Sequence, residues 1–227
     1  MKSNHDKVSH RLGLLPTVLL CAWVTAFGAD TPASNDPLQK LMDGNQRYVA
    51  NAATHPQQTP ERRTQIAKGQ APFAIVLACA DSRVSPEVIF DQGLGDLFVI
   101  RNAGNVLDDH VIGSIEYAVE HLHTTLIVVL GHSQCGACTA AAAGGHAPGH
   151  IASVVESLEP ALEEAKQQPG DKVENTVRAN ARRVAQILSR VEPILSESVK
   201  AKKLTVVPAR YDLESGKVEL LATAAAK

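Results

Sequence analysis

Four stretches of the chain are predominantly apolar over the length of a strand: PFAIVLACAD (residues 72–81), DLFVIRNAGN (96–105), TTLIVVLGH (124–132) and KLTVVPARYDL (203–213). A shorter one, GKVELLA (216–222), closes the series. Between them the apolar residues recur at helical spacing, in VIGSIEYAVEHL (111–122), CGACTAAAAGG (135–145), HIASVVESLEPALEEAKQ (150–167) and the long run 173–203. Ahead of the first strand, PLQKLMDGNQRYVAN (37–51) places Leu38, Leu41, Met42 and Tyr48 on one helical face behind Pro37. ATHPQQTPERR (53–63) is rich in proline and polar residues and reads as an extended arm. Continuous apolar strands alternating with helices indicate strands buried on both faces. The expectation is an α/β fold, with a mostly parallel four-stranded sheet plus a short edge strand, helices on both faces and an N-terminal helical arm.

The first residues break this pattern. A polar, mildly basic start, MKSNHDKVSHR, precedes the apolar LGLLPTVLLCAWVTAFG, and Ala26 and Gly28 supply small residues. That order predicts a secretory signal peptide over 1–28 cut after Gly28, a linker over 29–36, and one domain over 37–227. The run is short for a membrane span and contains Pro16, so no stable membrane insertion is expected after cleavage. The expected location is the periplasm. The chain has 227 residues, and its formal net charge of -2 and 4% aromatic content argue against a nucleic-acid partner.

Export makes the cysteines informative. Of the four in the chain, Cys79, Cys135 and Cys138 remain after Cys21 leaves with the leader. An odd number does not fit a disulfide framework, and a metal is the simplest reason to retain the thiols. In open α/β sheets, ligands gather at the carboxyl ends of the strands. Cys79 and Asp81 end the first strand; His132 and Cys135 end and follow the third. Two thiolates, one imidazole and one carboxylate form a donor set suited to zinc. In a plainer reading each cysteine is a small buried hydrophobe, and that is the expectation for Cys138. A nucleophilic Cys135 or Ser133 in GHSQCG is a further alternative, but it leaves Cys79 without a role.

CADSR (79–83), followed about fifty residues later by GHSQCGA (131–137), resembles the β-class carbonic anhydrases. GDLFVIRNAGN (95–105) and GSIEYAVEHL (113–122) extend the resemblance over nearly all of the chain from Pro37. It implies one zinc per subunit, bound by Cys79, His132 and Cys135, with Asp81 either a fourth ligand or the partner of Arg83. It also implies hydration of carbon dioxide to bicarbonate by zinc-bound hydroxide, with Asp81 and Arg83 in catalytic roles. By matching position, Gln70 contacts bicarbonate from a partner subunit, Phe98, Ala103 and Tyr117 line the carbon dioxide pocket, and Gly104 offers backbone near the metal water. Read from the residues alone, Phe98 and Tyr117 are core and Gln70 is solvated.

The resemblance further implies a homodimer or homotetramer in which N-terminal helices wrap over the partner. It has one departure: Val76 stands where some bacterial members carry a tryptophan of a non-catalytic bicarbonate site, and that site is expected to be absent. With Asp81 released from the metal near neutral pH, activity should rise toward alkaline pH. Two rivals remain at this level. One is the same fold acting on carbon disulfide or carbonyl sulfide. The other is a non-catalytic zinc protein closed by all four donors, against which Arg83 argues by competing for Asp81.

Overall fold

A computed structural model describes residues 35–223 together with Met1. The leader, all but the last two residues of the linker, and the last four residues of the alanine-rich tail lie outside the described residues. The described elements belong to the unit Ala33–Lys227. In chain order its elements are α1 (Pro37–Val49), α2 (Pro60–Ile66), β1 (Ala74–Cys79), α3 (Pro86–Ile89), β2 (Leu97–Asn102), α4 (Asp109–His121) and β3 (Leu126–His132). There follow α5 (Gly136–Ala143), α6 (Ile151–Ala165), α7 (Lys172–Leu188), α8 (Ile194–Lys200), β4 (Thr205–Tyr211) and β5 (Val218–Leu220). The sheet order is β2-β1-β3-β4-β5; the first four strands are parallel, and β5 runs antiparallel to β4. This is the four-plus-one sheet that the apolar runs predict.

Every residue of β1 and β3 is buried, because alternate side chains enter two different cores. Ile75, Leu77, Ile127 and Val129 meet α4, α7 and α8 through Ile115, Val184, Leu188 and Leu195. Ala74, Val76, Ala78, Val128 and Leu130 meet Leu41, Ile89 and Phe90 on the other face. A third cluster, at the carboxyl ends of the strands, contains Cys79, Cys135 and Cys138 with Leu158 and Val177. Gly131 lets α7 approach β3 there, since a Cβ would stand 2.9 Å from Val177 Cγ1.

Two expectations change. The stretch 53–63 is not wholly extended: Thr59 Oγ1 accepts from the Arg62 N–H, Pro60 follows, and α2 begins. The proline that looked like an arm residue is a helix-start residue behind a threonine cap. The helical pattern 173–203 is two helices, α7 and α8, with Pro193 between them. The apolar stripe of α1 is partly covered by its own chain, with Leu38, Met42 and Tyr48 left partly buried. Leu41 is fully buried in the second core, and Asn45 pins the helix to its own chain. Asn45 Nδ2 donates to the Ile89 and Gly216 carbonyls, and its Oδ1 accepts from Val218 N–H. Among the described residues no helix is long and apolar enough to cross a membrane.

Candidate metal centre

β1 and β3 are adjacent and parallel, so their carboxyl ends lie side by side. β1 delivers Cys79, β3 delivers His132, and the turn into α5 brings Cys135 back as the residue capping that helix. The two Sγ atoms and a ring nitrogen of His132 all lie within 4.8 Å of one another, and all three residues are buried. His132 Nδ1 sits 2.9 Å from the Ser133 carbonyl oxygen. A proton on Nδ1 satisfies that bond and leaves the Nε2 lone pair directed inward. Nε2 is fully buried and has no hydrogen-bond partner among the described residues. An orphaned imidazole nitrogen beside two free thiols is the arrangement a soft dication completes.

The protonation of the thiols agrees. The neighbouring Cys135 thiol and then burial push Cys79 up to about 12, with the Gly104 N–H acting the other way. The Cys138 thiol, with burial adding to it, pushes Cys135 up to about 11, while Cys79 opposes. Crowded, desolvated thiols hold their protons until a cation offsets the charge, and a coordinating thiol gives its proton up outright. Cys138, expected as a buried hydrophobe, is indeed buried and free, and its thiol adjoins Cys135.

Asp81 stands apart from the three donors. Arg83 Nε donates to Asp81 Oδ1 at 2.9 Å, Nη2 to Oδ2 at 2.7 Å, and the Arg83 backbone N–H to Oδ1 at 3.0 Å. Asp81 pairs with Arg83, one of the two roles expected for it, and its carboxylate is not among the donors that lie within 4.8 Å of one another. The Arg83 fork holds the Asp81 carboxyl well below the usual carboxylate range. Asp81 Oδ2 nevertheless remains 3.9 Å from His132 Nε2, at the mouth of the group.

Gly104 joins the site: its N–H donates to Cys79 Sγ at 3.3 Å from a short 3-10 turn, Ala103–Asn105, that follows β2. Gly104 has φ +73, and a Cβ there would stand 3.1 Å from Ala137 and 3.2 Å from Leu158. Glycine is therefore required by both conformation and space. Ala103 is exposed beside it. Gln70, Phe98 and Tyr117 are not brought to the thiols within one chain. Phe98 pairs with Ile75, four residues before Cys79, which is about 13 Å along the strand. Tyr117 lies 6.4 Å from the Phe98 ring and is 48% exposed. Gln70 is exposed in the loop entering β1, at the end opposite Cys79.

Two contributors carry roles that the sequence does not assign. Arg101 Nε donates to the Cys79 carbonyl at 3.0 Å, and Nη2 to the Asp81 carbonyl at 2.7 Å, bracing the loop that carries both. Its signal was its place on β2, opposite Ala78 in the parallel register. Asn180 Nδ2 donates to the Gly104 carbonyl at 2.9 Å from α7. Its signal was a lone amide within an apolar helical stripe.

Comparison with known proteins defines the class. The family model for carbonic anhydrases matches residues 74–218, and the chain belongs to that family, in its β class. Carbonic anhydrase 2 of Mycobacterium tuberculosis is 42% identical over 184 residues, covering 79% of this chain and 89% of that one. A Pseudomonas aeruginosa carbonic anhydrase is 33% identical, covering 81% of this chain and 87% of that one. Among solved structures, one of two tetrameric β-carbonic anhydrases from Sordaria macrospora matches with a TM-score of 0.66 at 26% identity. It covers 81% of this chain and 96% of its own.

Proposed function

We propose that this chain catalyses the reversible hydration of carbon dioxide to bicarbonate and a proton, with one zinc ion held by Cys79, His132 and Cys135. The observation that carries the reading is the buried, unpartnered His132 Nε2 set against two free thiols. Zinc bound there would supply the Lewis acidity that makes water a nucleophile, less strongly with two thiolate donors than with three imidazoles, so that hydroxide forms toward alkaline pH. Cys79 and Cys135 contribute two negative charges, so the loaded site is neutral and does not trap an anionic product. Arg83 keeps Asp81 ionised and turned aside, which leaves room for a reacting water and a small apolar substrate. Asp81 Oδ2, the oxygen nearer His132, is positioned to accept a hydrogen bond from that water and so orient it. Arg101 holds the backbone of both residues in place.

The test is reconstitution. Metal-free protein titrated with zinc should gain carbon dioxide hydration in proportion to zinc bound, and saturate at one zinc per chain. Saturation with zinc and no hydration would sink the reading.

A homodimer or homotetramer belongs to the same proposal. Gln70, Phe98 and Tyr117 lie away from the thiols of their own chain, the outer edge of β2 has no strand partner among the described residues, and the Sordaria macrospora neighbour is described as tetrameric. In an assembly these three residues would serve the site of a second copy. Light scattering should give two or four chain masses; a single chain mass with full activity would contradict the shared site. Export to the periplasm rests on the residue order of 1–28. It is checked by the N-terminus of the mature protein, which should be Ala29.

A further inference from the structure

Helix α7 carries Thr176, Val177, Asn180, Ala181 and Val184 on its buried face. Asn180 is only 3% exposed. A primary amide among such neighbours costs stability unless it is hydrogen-bonded. Its donor goes to the Gly104 carbonyl, 2.9 Å away. The turn that contains Gly104 is already closed by Asn102, whose Oδ1 accepts from Val106 N–H and whose Nδ2 donates to the Val106 carbonyl. Closing the turn therefore does not require Asn180. What Asn180 adds is a fixed orientation for Gly104 itself, the residue whose N–H donates to Cys79 Sγ.

We infer that Asn180 is a positioning residue for the metal centre: it anchors Gly104 so that the Gly104 N–H stays aimed at the Cys79 sulfur. This rests on Cys79 being a zinc ligand, as proposed above. An N–H donor to a ligating thiolate draws charge from the sulfur and fixes the lone pair that faces the metal. Groups that orient metal ligands in this way change affinity or activity by about ten- to hundredfold when removed. The relay runs from α7 through the turn after β2 to the end of β1, and no residue of it is adjacent in sequence to the next. Gly104, with φ +73, is the hinge in this relay: freed from Asn180, its peptide planes are the ones able to rotate.

The test uses the full chain loaded with cobalt in place of zinc, comparing the parent with Asn180→Ala and Asn180→Ser. Alanine favours the helix and serine is a polar side chain too short to hold Gly104, so one fold-compatible variant is expected to be available. The cobalt–thiolate charge-transfer band of the parent should change in energy and intensity in the variants. Metal affinity, read by competition with a chelator, should fall about ten- to hundredfold. The thermal midpoint of the metal-free protein tracks any purely structural contribution separately. A band and an affinity that stay at parental values while only that midpoint drops would overturn the assignment. A parent without any thiolate band would instead overturn the metal reading, and this assignment with it.

Discussion

Cys135→Ala should fold, lose its metal and lose carbon dioxide hydration together. The thiol it removes is one of three donors that sit within 4.8 Å of one another. Its side chain is small and the residue caps α5 without a side-chain hydrogen bond, so the helix does not depend on it. The loss to stability is that of a small buried group, about 1–2 kcal/mol. The loss to the metal is far larger, because two remaining donors cannot hold zinc as three do and the second thiolate charge is gone. Zinc per chain after dialysis against a mild chelator should drop below roughly a tenth, more than the loss of a supporting hydrogen bond would cause. Hydration should fall to the buffer rate. The contrary result is zinc retained at one per chain with hydration intact, which would remove Cys135 from the centre.

Arg83→Ala should give the opposite split, with the metal kept and hydration lost. In the parent, the guanidinium holds both carboxylate oxygens of Asp81, with Oδ2 3.9 Å from His132 Nε2. With the fork removed, a small rotation carries the carboxylate toward the donor group, where it completes a closed four-donor site. Protonation does not rescue the open form. Losing Arg83 lets the Asp81 pKa return upward toward the ordinary value of about 3.9, and the group is still ionised at neutral pH. Hydration near neutrality should fall about ten- to hundredfold or more while zinc stays bound. X-ray absorption at the zinc edge should then show a carboxylate oxygen beside two sulfurs and one nitrogen. Unchanged hydration in this variant would mean that the ion pair is a surface contact of loop 80–84 with no bearing on the site.

The sheet was legible because β1 and β3 are apolar on both faces, a pattern that leaves little choice of environment. A donor cluster was legible because parallel strands must put their carboxyl ends together, and Cys79 and His132 each end such a strand; the strand ends offered four donors with Asp81 and Cys135, and only the family resemblance pointed to three. Less visible were features set by contacts distant in sequence. Asn45 joins α1 to residues 44 to 173 positions away, so the α1 stripe could be read but not what covers it. α2 was hidden because proline marks both helix starts and extended arms, and the Thr59 cap decides between them. Asp81 had two chemically reasonable fates, and only the spatial placement of Arg83 separates them. Asn180 lies in no motif, and Arg101, though inside GDLFVIRNAGN, had no role of its own; each matters for the backbone carbonyl it reaches. The placement of Phe98 and Tyr117 away from the thiols follows from register, which the order of strands alone does not supply.

The most direct measurement is stopped-flow carbon dioxide hydration by the zinc-loaded protein from about pH 6.5 to about pH 9. If Arg83 keeps Asp81 from a zinc held by Cys79, His132 and Cys135, the rate should climb toward alkaline pH as the reacting water loses its proton. Metal-replete protein with no hydration anywhere in that range, or with a rate independent of pH, would contradict the account.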